Sequence, residues 1–189
     1  ETDLGRAWGC RPDPATGFRG PGRAGDPCPQ TTLEALRAFS WLPPGERPSW
    51  LAEAARTSLE IWRQRGTRKP YMMGHGRQFK MVKWPPTWYG AYELVDTLGR
   101  IPEAWQHAPE DRRSLAEIGA CLLAYNVSAD GRVTPQSAFK GWEWLSFGQK
   151  KVPSPIATAM VWASLAGVGD LAEEIAVVDV LSLGSSKGG

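Results

Sequence analysis

Apolar positions recur at helical spacing in six stretches of the chain, separated by segments in which glycine and proline interrupt any period. Residues 30–42 place Leu33, Leu36 and Phe39 on one face, with Trp41 and Leu42 at the end, and Pro43-Pro44-Gly45 stops the run. In the next stretch, to about residue 65, Leu51, Ala55, Leu59 and Trp62 follow at intervals of four, four and three. Glu53, Arg56, Glu60, Arg63 and Gln64 fall on the water-facing side; Ser49 is placed to cap this helix and Gly66 to end it. A third helix is expected over 87–99, with Trp88, Tyr92 and Val95 on one face and Tyr89 beside them. The fourth, over 109–125, spaces Leu115, Ile118, Leu122 and Tyr125 by three, four and three, and Glu110 and Asp111 suit the positive end of its dipole. A fifth, over 156–168, follows Ser154 and Pro155 and contains no charged residue, which predicts burial on most sides. The sixth, opened by Asp170 and Glu173, carries Leu171, Ile175, Val178 and Leu181 to about residue 182, against the preference of its β-branched run.

Taken in order, the six helices make three hairpins, at about 30–65, 87–125 and 155–182. First members are introduced by proline and carry few charges (Glu34 and Arg37; Glu93 and Asp96; none), whereas second members have an apolar stripe and a charged face. That asymmetry predicts an all-α fold with an inner and an outer helix layer, each hairpin needing its neighbour to bury a face. A single domain is expected over 1–182, with an irregular lead-in at 1–28 pinned by Trp8 and a flexible tail at 183–189. Two long connections, 67–86 and 127–153, show no period.

Composition narrows the classes. The 189 residues are 42% hydrophobic, enough for a core without disulfide or metal staples. The 22 basic and 20 acidic residues nearly cancel, which argues against nucleic acid as the main partner. No run of eighteen apolar residues is present, so no transmembrane segment is expected. The chain does not open on a signal peptide, and a cytoplasmic location is the expectation. Nucleophile elbow, phosphate loop and dinucleotide fingerprint are all missing, and two histidines leave little for a catalytic triad. The compositional outlier is ten tryptophans.

The glycine- and tryptophan-bearing turns Asp3-Leu-Gly-Arg-Ala-Trp8-Gly and Asp130-Gly-Arg132 resemble the repeat of the α/α-toroid proteins, the terpenoid cyclases and protein prenyltransferases, with Val133 where that repeat has tryptophan. More specifically, Gly74-His-Gly-Arg-Gln-Phe79, Lys83-Trp-Pro-Pro-Thr-Trp-Tyr89, Val95-Asp-Thr-Leu98 and Phe147-Gly-Gln-Lys-Lys151-Val-Pro-Ser-Pro155 are similar to bacterial proteins of the squalene cyclase-like, prenyltransferase-repeat group. The resemblance covers residues 1 to about 182. It implies part of an α/α toroid. Three hairpins are about half of a closed ring, so the resemblance also implies the C-terminal part of a longer chain, or a small open array, with the remainder of that chain or a partner subunit as the expected neighbour.

In such toroids the inner helix ends border a cavity, and aromatic faces hold isoprenoid chains and carbocations. Trp84, Trp88, Tyr89, Tyr92, Trp142, Trp144 and Phe147 gather near the starts of inner helices and are the candidate lining. Packing of hairpin on hairpin is the competing role, and the spacing of Trp62, Trp88 and Trp162 suits it. Arg77, Lys80, Lys83, Lys150 and Lys151 at the rim would favour an anionic or amphipathic ligand, solvated side chains being the alternative.

The aspartate-rich acid motif of the cyclases does not occur; Asp96 reads as the partner of a nearby base and Asp130 as a turn residue. Cys10, Cys28 and His75 lie in glycine-rich loops and form a minor candidate zinc set, matching no zinc spacing motif. Cys10 and Cys28 could equally form a disulfide or stay free, and Cys121 belongs to a core stripe. The expected function is a cyclase-like toroid domain that binds a hydrophobic or amphipathic small molecule in an aromatic cavity, with no cofactor beyond the minor zinc reading. The alternatives are a terpenoid or isoprenoid cyclase or prenyltransferase whose acid lies outside this chain, and a helical protein-interaction array.

Overall fold

The computed structural model describes residues 2–10, 13–17, 26–67, 76–86, 90–145 and 150–184. Its fold is mainly helical. Helix α1 spans Pro29–Ser40 and α2 spans Leu51–Arg63; α3 is a single turn, Arg77–Lys80. After strand β1 (Lys83–Trp84) come α4 (Ala91–Gly99) and α5 (Pro109–Asn126). Strand β2 (Ser137–Ala138) precedes α6 (Pro155–Ala166) and the short α7 (Ala172–Ala176).

The expected helix starts hold where backbone chemistry is explicit. Pro29, Pro109 and Pro155 each open a helix at a position whose N–H would have no partner in any case. Ser154 caps α6, its hydroxyl accepting the Ala157 N–H at 3.1 Å. Other caps differ from expectation. The N-cap of α2 is Trp50 rather than Ser49, with no side-chain bond. Helix α4 starts after Gly90, whose N–H donates to the Glu93 carboxylate at 2.9 Å; residues 87–89 lie outside the described residues.

The helices pack in two rows. In one, α1 lies against α4 and α4 against α6; in the other, α2 lies against α5 and α5 against α7. Across the rows α1 meets α2 and α4 meets α5. The core between them holds Leu36, Leu59, Trp62, Leu94, Leu98, Trp105 and Leu115, all fully buried. The buried Trp105 indole N–H donates to the Leu98 carbonyl at 2.9 Å, so this large side chain enters the core with its one polar atom satisfied. Where α4 ends, Gly99 touches the backbone of Gly167: a Cβ on Gly99 would lie 3.3 Å from the Gly167 carbonyl carbon.

Three expectations are corrected. Arg63 and Glu60 do not simply face water. Arg63 donates to Asp111 at 2.6 Å and to Glu60 at 2.7 Å, joining α2 to α5, because these two helices lie side by side and their charged flanks meet. Helix α6 is not buried on most sides; Ile156 is 43% and Trp162 46% exposed, since α6 is the last helix of its row. The sixth helix stops at Ala176 instead of reaching residue 182. β-branched Val177, Val178 and Val180 disfavour the helix, and Asp179 takes the Leu181 N–H at 3.0 Å in a local turn.

The long connections also hold structure that periodicity does not reveal. Lys83 and Trp84 pair in parallel with Ser137 and Ala138, tying the connection before α4 to the one after α5. Asn126, buried at the end of α5, fixes the first of these: its Oδ1 accepts the Val82 N–H at 2.7 Å and its Nδ2 donates to the Lys80 and Leu122 carbonyls. At Asp130-Gly131-Arg132 the turn is as expected, Gly131 adopting φ +79°, a conformation open to glycine at little cost. Asp130 accepts from Ser128 and Arg132 there. Among the described residues no helix is long and apolar enough to cross a membrane.

Candidate functional site

Of the candidate aromatics, the structure brings Trp84 and Tyr92 together. Both are buried, and with Val82, Pro86, Ala157, Met160 and Val161 they line a crevice between β1, α4 and α6 too narrow to admit a water molecule. Trp142 and Trp144 do not line that crevice; they lie on the loop after β2, 44% and 76% exposed, the Trp144 indole N–H folding back onto the Gly141 carbonyl at 2.7 Å. Trp88, Tyr89, Phe147 and His75 lie outside the described residues.

The expected basic residues divide into two groups. Lys80 rests over the Tyr125 ring at 4.5 Å and Lys83 over the Phe139 ring at 3.6 Å, cation-on-ring contacts that satisfy each charge locally. Arg77, Lys150 and Lys151 are exposed. Trp62 packs as expected, stacked on Phe79 at 5.1 Å, with its N–H donated to Glu117 at 2.8 Å. Trp162, also expected to pack, instead lies on the open side of α6 with its N–H on the Gly131 carbonyl.

A polar cluster that sequence reasoning missed crosses the α1–α4–α6 row. Asp96 is its hub, as the expected partner of a base. Arg100 holds both of its carboxylate oxygens, at 2.6 and 2.7 Å, and the Ser164 hydroxyl donates to it at 3.0 Å from α6. Arg37 approaches from α1, with Nη2 3.9 Å from Asp96 and 3.5 Å from the Pro86 carbonyl. Arg100 also lies over the Trp41 ring at 4.2 Å, and Trp41 stays 69% exposed. The signals were present in sequence as Asp96 and Arg100 four apart and a tryptophan just past α1, but neither names a site alone.

The cluster and the crevice share walls. Pro86 lines the crevice and faces Arg37, while the Tyr92 hydroxyl pairs with Ser164. Burial first, then the nearby Asp96 charge, pushes the Tyr92 phenol up to about 12. Two guanidiniums around one carboxylate leave an excess of positive charge. Arg37 is 23% exposed, and among the described residues its Nε and Nη1 have no acceptor. Asp96 already accepts from Arg100 and Ser164, so it is poorly placed to hand a proton to carbon, and the arrangement suits holding an anion rather than starting a cation cascade.

Two further features lie outside this row. A groove of about 620 Å³ opens between α5 and the chain after α7, lined by Pro109, Ala116, Val178 and Leu183. Its charged groups are largely spent on one another: Arg112 pairs with Glu174, and Arg113 with Glu117. Elsewhere, Cys10 and Cys28 come together at the start of α1, with no bond between their sulfurs. Burial works to raise the Cys28 thiol, but hydrogen bonds from Cys10, Thr31 and the first-turn backbone bring it net below its ordinary value. Burial and then the Cys28 side chain push the Cys10 thiol up. Two thiols are half of a tetrahedral zinc set, and no group of three or more His, Cys, Asp or Glu converges among the described residues. No family model matches the chain, no curated protein matches its sequence, and no solved structure matches its fold.

Proposed function

We propose that the chain is part of an α/α-toroid array whose α1–α4–α6 row binds an amphipathic small molecule with an anionic head. The observation that carries this reading is Arg37. It presents unused donors on that row, beside the apolar crevice of Trp84, Pro86, Tyr92 and Met160. A planar guanidinium binds a carboxylate or phosphate through paired hydrogen bonds, and an apolar tail would lie along the half-buried outer wall at Pro86 and Met160, the crevice itself being closed. The stacking of helices in two rows supports the toroid reading, and the exposed Trp41 beside Arg100 extends the apolar surface.

The test is a tryptophan-fluorescence titration with a prenyl phosphate and a long-chain fatty acid. Saturable binding that weakens about tenfold or more in Arg37→Ala is expected, since one charge-assisted pair contributes on the order of 2 kcal/mol. No saturable binding of either amphiphile, or equal binding by the variant, overturns the reading.

One observation favours the interaction array as a second reading. Helix α6, last in the α1–α4–α6 row among the described residues, shows Ile156 and Trp162 to solvent, an apolar face that a further protein surface would cover. A shift from larger assembly to monomer in Ile156→Glu/Trp162→Glu, read by light scattering, would favour it; a wild-type chain that is already monomeric would remove it.

A further inference from the structure

The residues from Thr2 to Cys10 are fastened to the start of α1. Cys28 donates its backbone N–H to the Trp8 carbonyl at 2.8 Å, while Trp8 donates its own to the Thr32 hydroxyl at 3.2 Å. The Thr32 hydroxyl in turn faces the Trp8 carbonyl at 3.2 Å. This double fastening sets Cys10 beside Cys28, and both sulfurs reach one side chain: Thr31 Oγ1 lies 3.2 Å from the Cys10 sulfur and 3.3 Å from the Cys28 sulfur.

A hydroxyl has one proton to donate. Thr31 gives it to Cys28, which leaves its oxygen to accept from the Cys10 S–H. The relay runs from Cys10 through Thr31 to Cys28, so the sulfur at the receiving end is the one best stabilised as an anion. Cys28 is the N-cap residue of α1, without a side-chain cap bond, and its buried sulfur lies near the first-turn backbone of Gln30 and Thr31.

We propose that Cys10 and Cys28 are a reversible dithiol–disulfide pair that reduces hydroperoxides, with Cys28 attacking and Cys10 resolving. In the first step the Cys28 thiolate attacks the terminal oxygen of the hydroperoxide. The S–O bond forms, the O–O bond breaks, and the alcohol departs with a proton, leaving Cys28 as sulfenic acid. In the second, Cys10 sulfur attacks the Cys28 sulfur. The S–S bond forms, the S–O bond breaks, and hydroxide leaves as water with the Cys10 proton. Two thiols are oxidised by two electrons, the peroxide is reduced by two, and an external dithiol restores the pair. Cys121, fully buried in the core, takes no part.

Hydrogen peroxide is the probe, applied to the whole chain and read by intact mass and peptide mapping. A loss of two hydrogens confined to a linked Cys10–Cys28 peptide, reversed by dithiothreitol, is expected. Cys10→Ser should accumulate a sulfenic acid on Cys28 that dimedone traps, and Cys28→Ser should consume peroxide about tenfold more slowly. Serine is nearly isosteric, and circular dichroism confirms that each variant folds. The proposal is overturned if wild type forms no Cys10–Cys28 link before Cys121 oxidises. Equal dimedone labelling of Cys10 in Cys28→Ser, or a purified chain carrying zinc on both thiols and inert to peroxide, overturns it equally.

Discussion

Arg100 closes on Asp96 through both carboxylate oxygens, at 2.6 and 2.7 Å, in the geometry that only a guanidinium can supply. Asp96 is also bonded to Ser164, so one carboxylate couples two helices of the first row. Asp96→Asn breaks the pairing and leaves two arginines facing a neutral group. Urea unfolding should show a loss of about 2 kcal/mol. Arg100→Lys should fall between the two, since an ammonium cannot engage both oxygens. An unchanged midpoint in Asp96→Asn would show that the carboxylate does not join the helices.

Alkaline pH offers a second measurement. Burial first raises the Cys121 thiol from 9.0 to about 12, and burial with the Asp96 charge raises Tyr92 from 10.0 to about 12. For each, the unfolded chain loses its proton first, so the contribution is whole below the unfolded value and is lost as pH climbs toward the folded one. Stability should therefore decline from about pH 9 to 12, by up to roughly 1.4 kcal/mol per pH unit for each group. Cys121→Val should flatten the lower part of that decline, and Tyr92→Phe the upper part, in thermal melts across the range. Parallel curves for all three proteins would exclude these groups as the cause.

Asn126 satisfies three backbone groups with one amide. Asn126→Leu removes these bonds and strands the Val82 N–H in a buried setting, at a cost of roughly 3 kcal/mol. Hydrogen exchange should localise the effect, with the Val82 amide losing protection before the middle of α5. Retained protection at Val82 would contradict the assignment.

Helices α4 and α6 meet at Gly99 and Gly167 without side chains between them. Gly99→Val places branched carbon where backbone already stands, and should cost about 2 kcal/mol through displacement of α6. Trp162 should report it, because its indole leaves the Gly131 carbonyl when α6 moves. An unshifted emission spectrum with unchanged stability would argue against tight contact.

Much of the helical framework was legible. Leu33 and Leu36, or Leu115, Ile118 and Leu122, repeat at the period of a buried stripe, and proline and serine mark the starts of α1, α5 and α6. What was not legible depends on neighbours. An uncharged α6 has the same sequence whether it is enclosed or last in its row. Lys83–Trp84 is too short to show a strand period, and its partner lies in the other connection. The Asp96 cluster draws Arg37 and Trp41 from α1 and its end, Asp96 and Arg100 from α4 and its end, and Ser164 from α6, so no single stretch carried its signal. Thr31 and Thr32 carry no sequence signal of their role, which is to join the lead-in to α1.

The short β1–β2 pair encloses more chain than it contains. Because Gln136 donates to Val82 at 3.1 Å and Phe139 to Trp84 at 2.8 Å, the segment between them, with α4 and α5 entire, is a loop whose two feet are joined. A hairpin joined at its feet cannot pass to a second molecule by opening one hinge, as the outer hairpins could; both feet must part first. The clasp therefore guards α4 and α5 against exchange between copies.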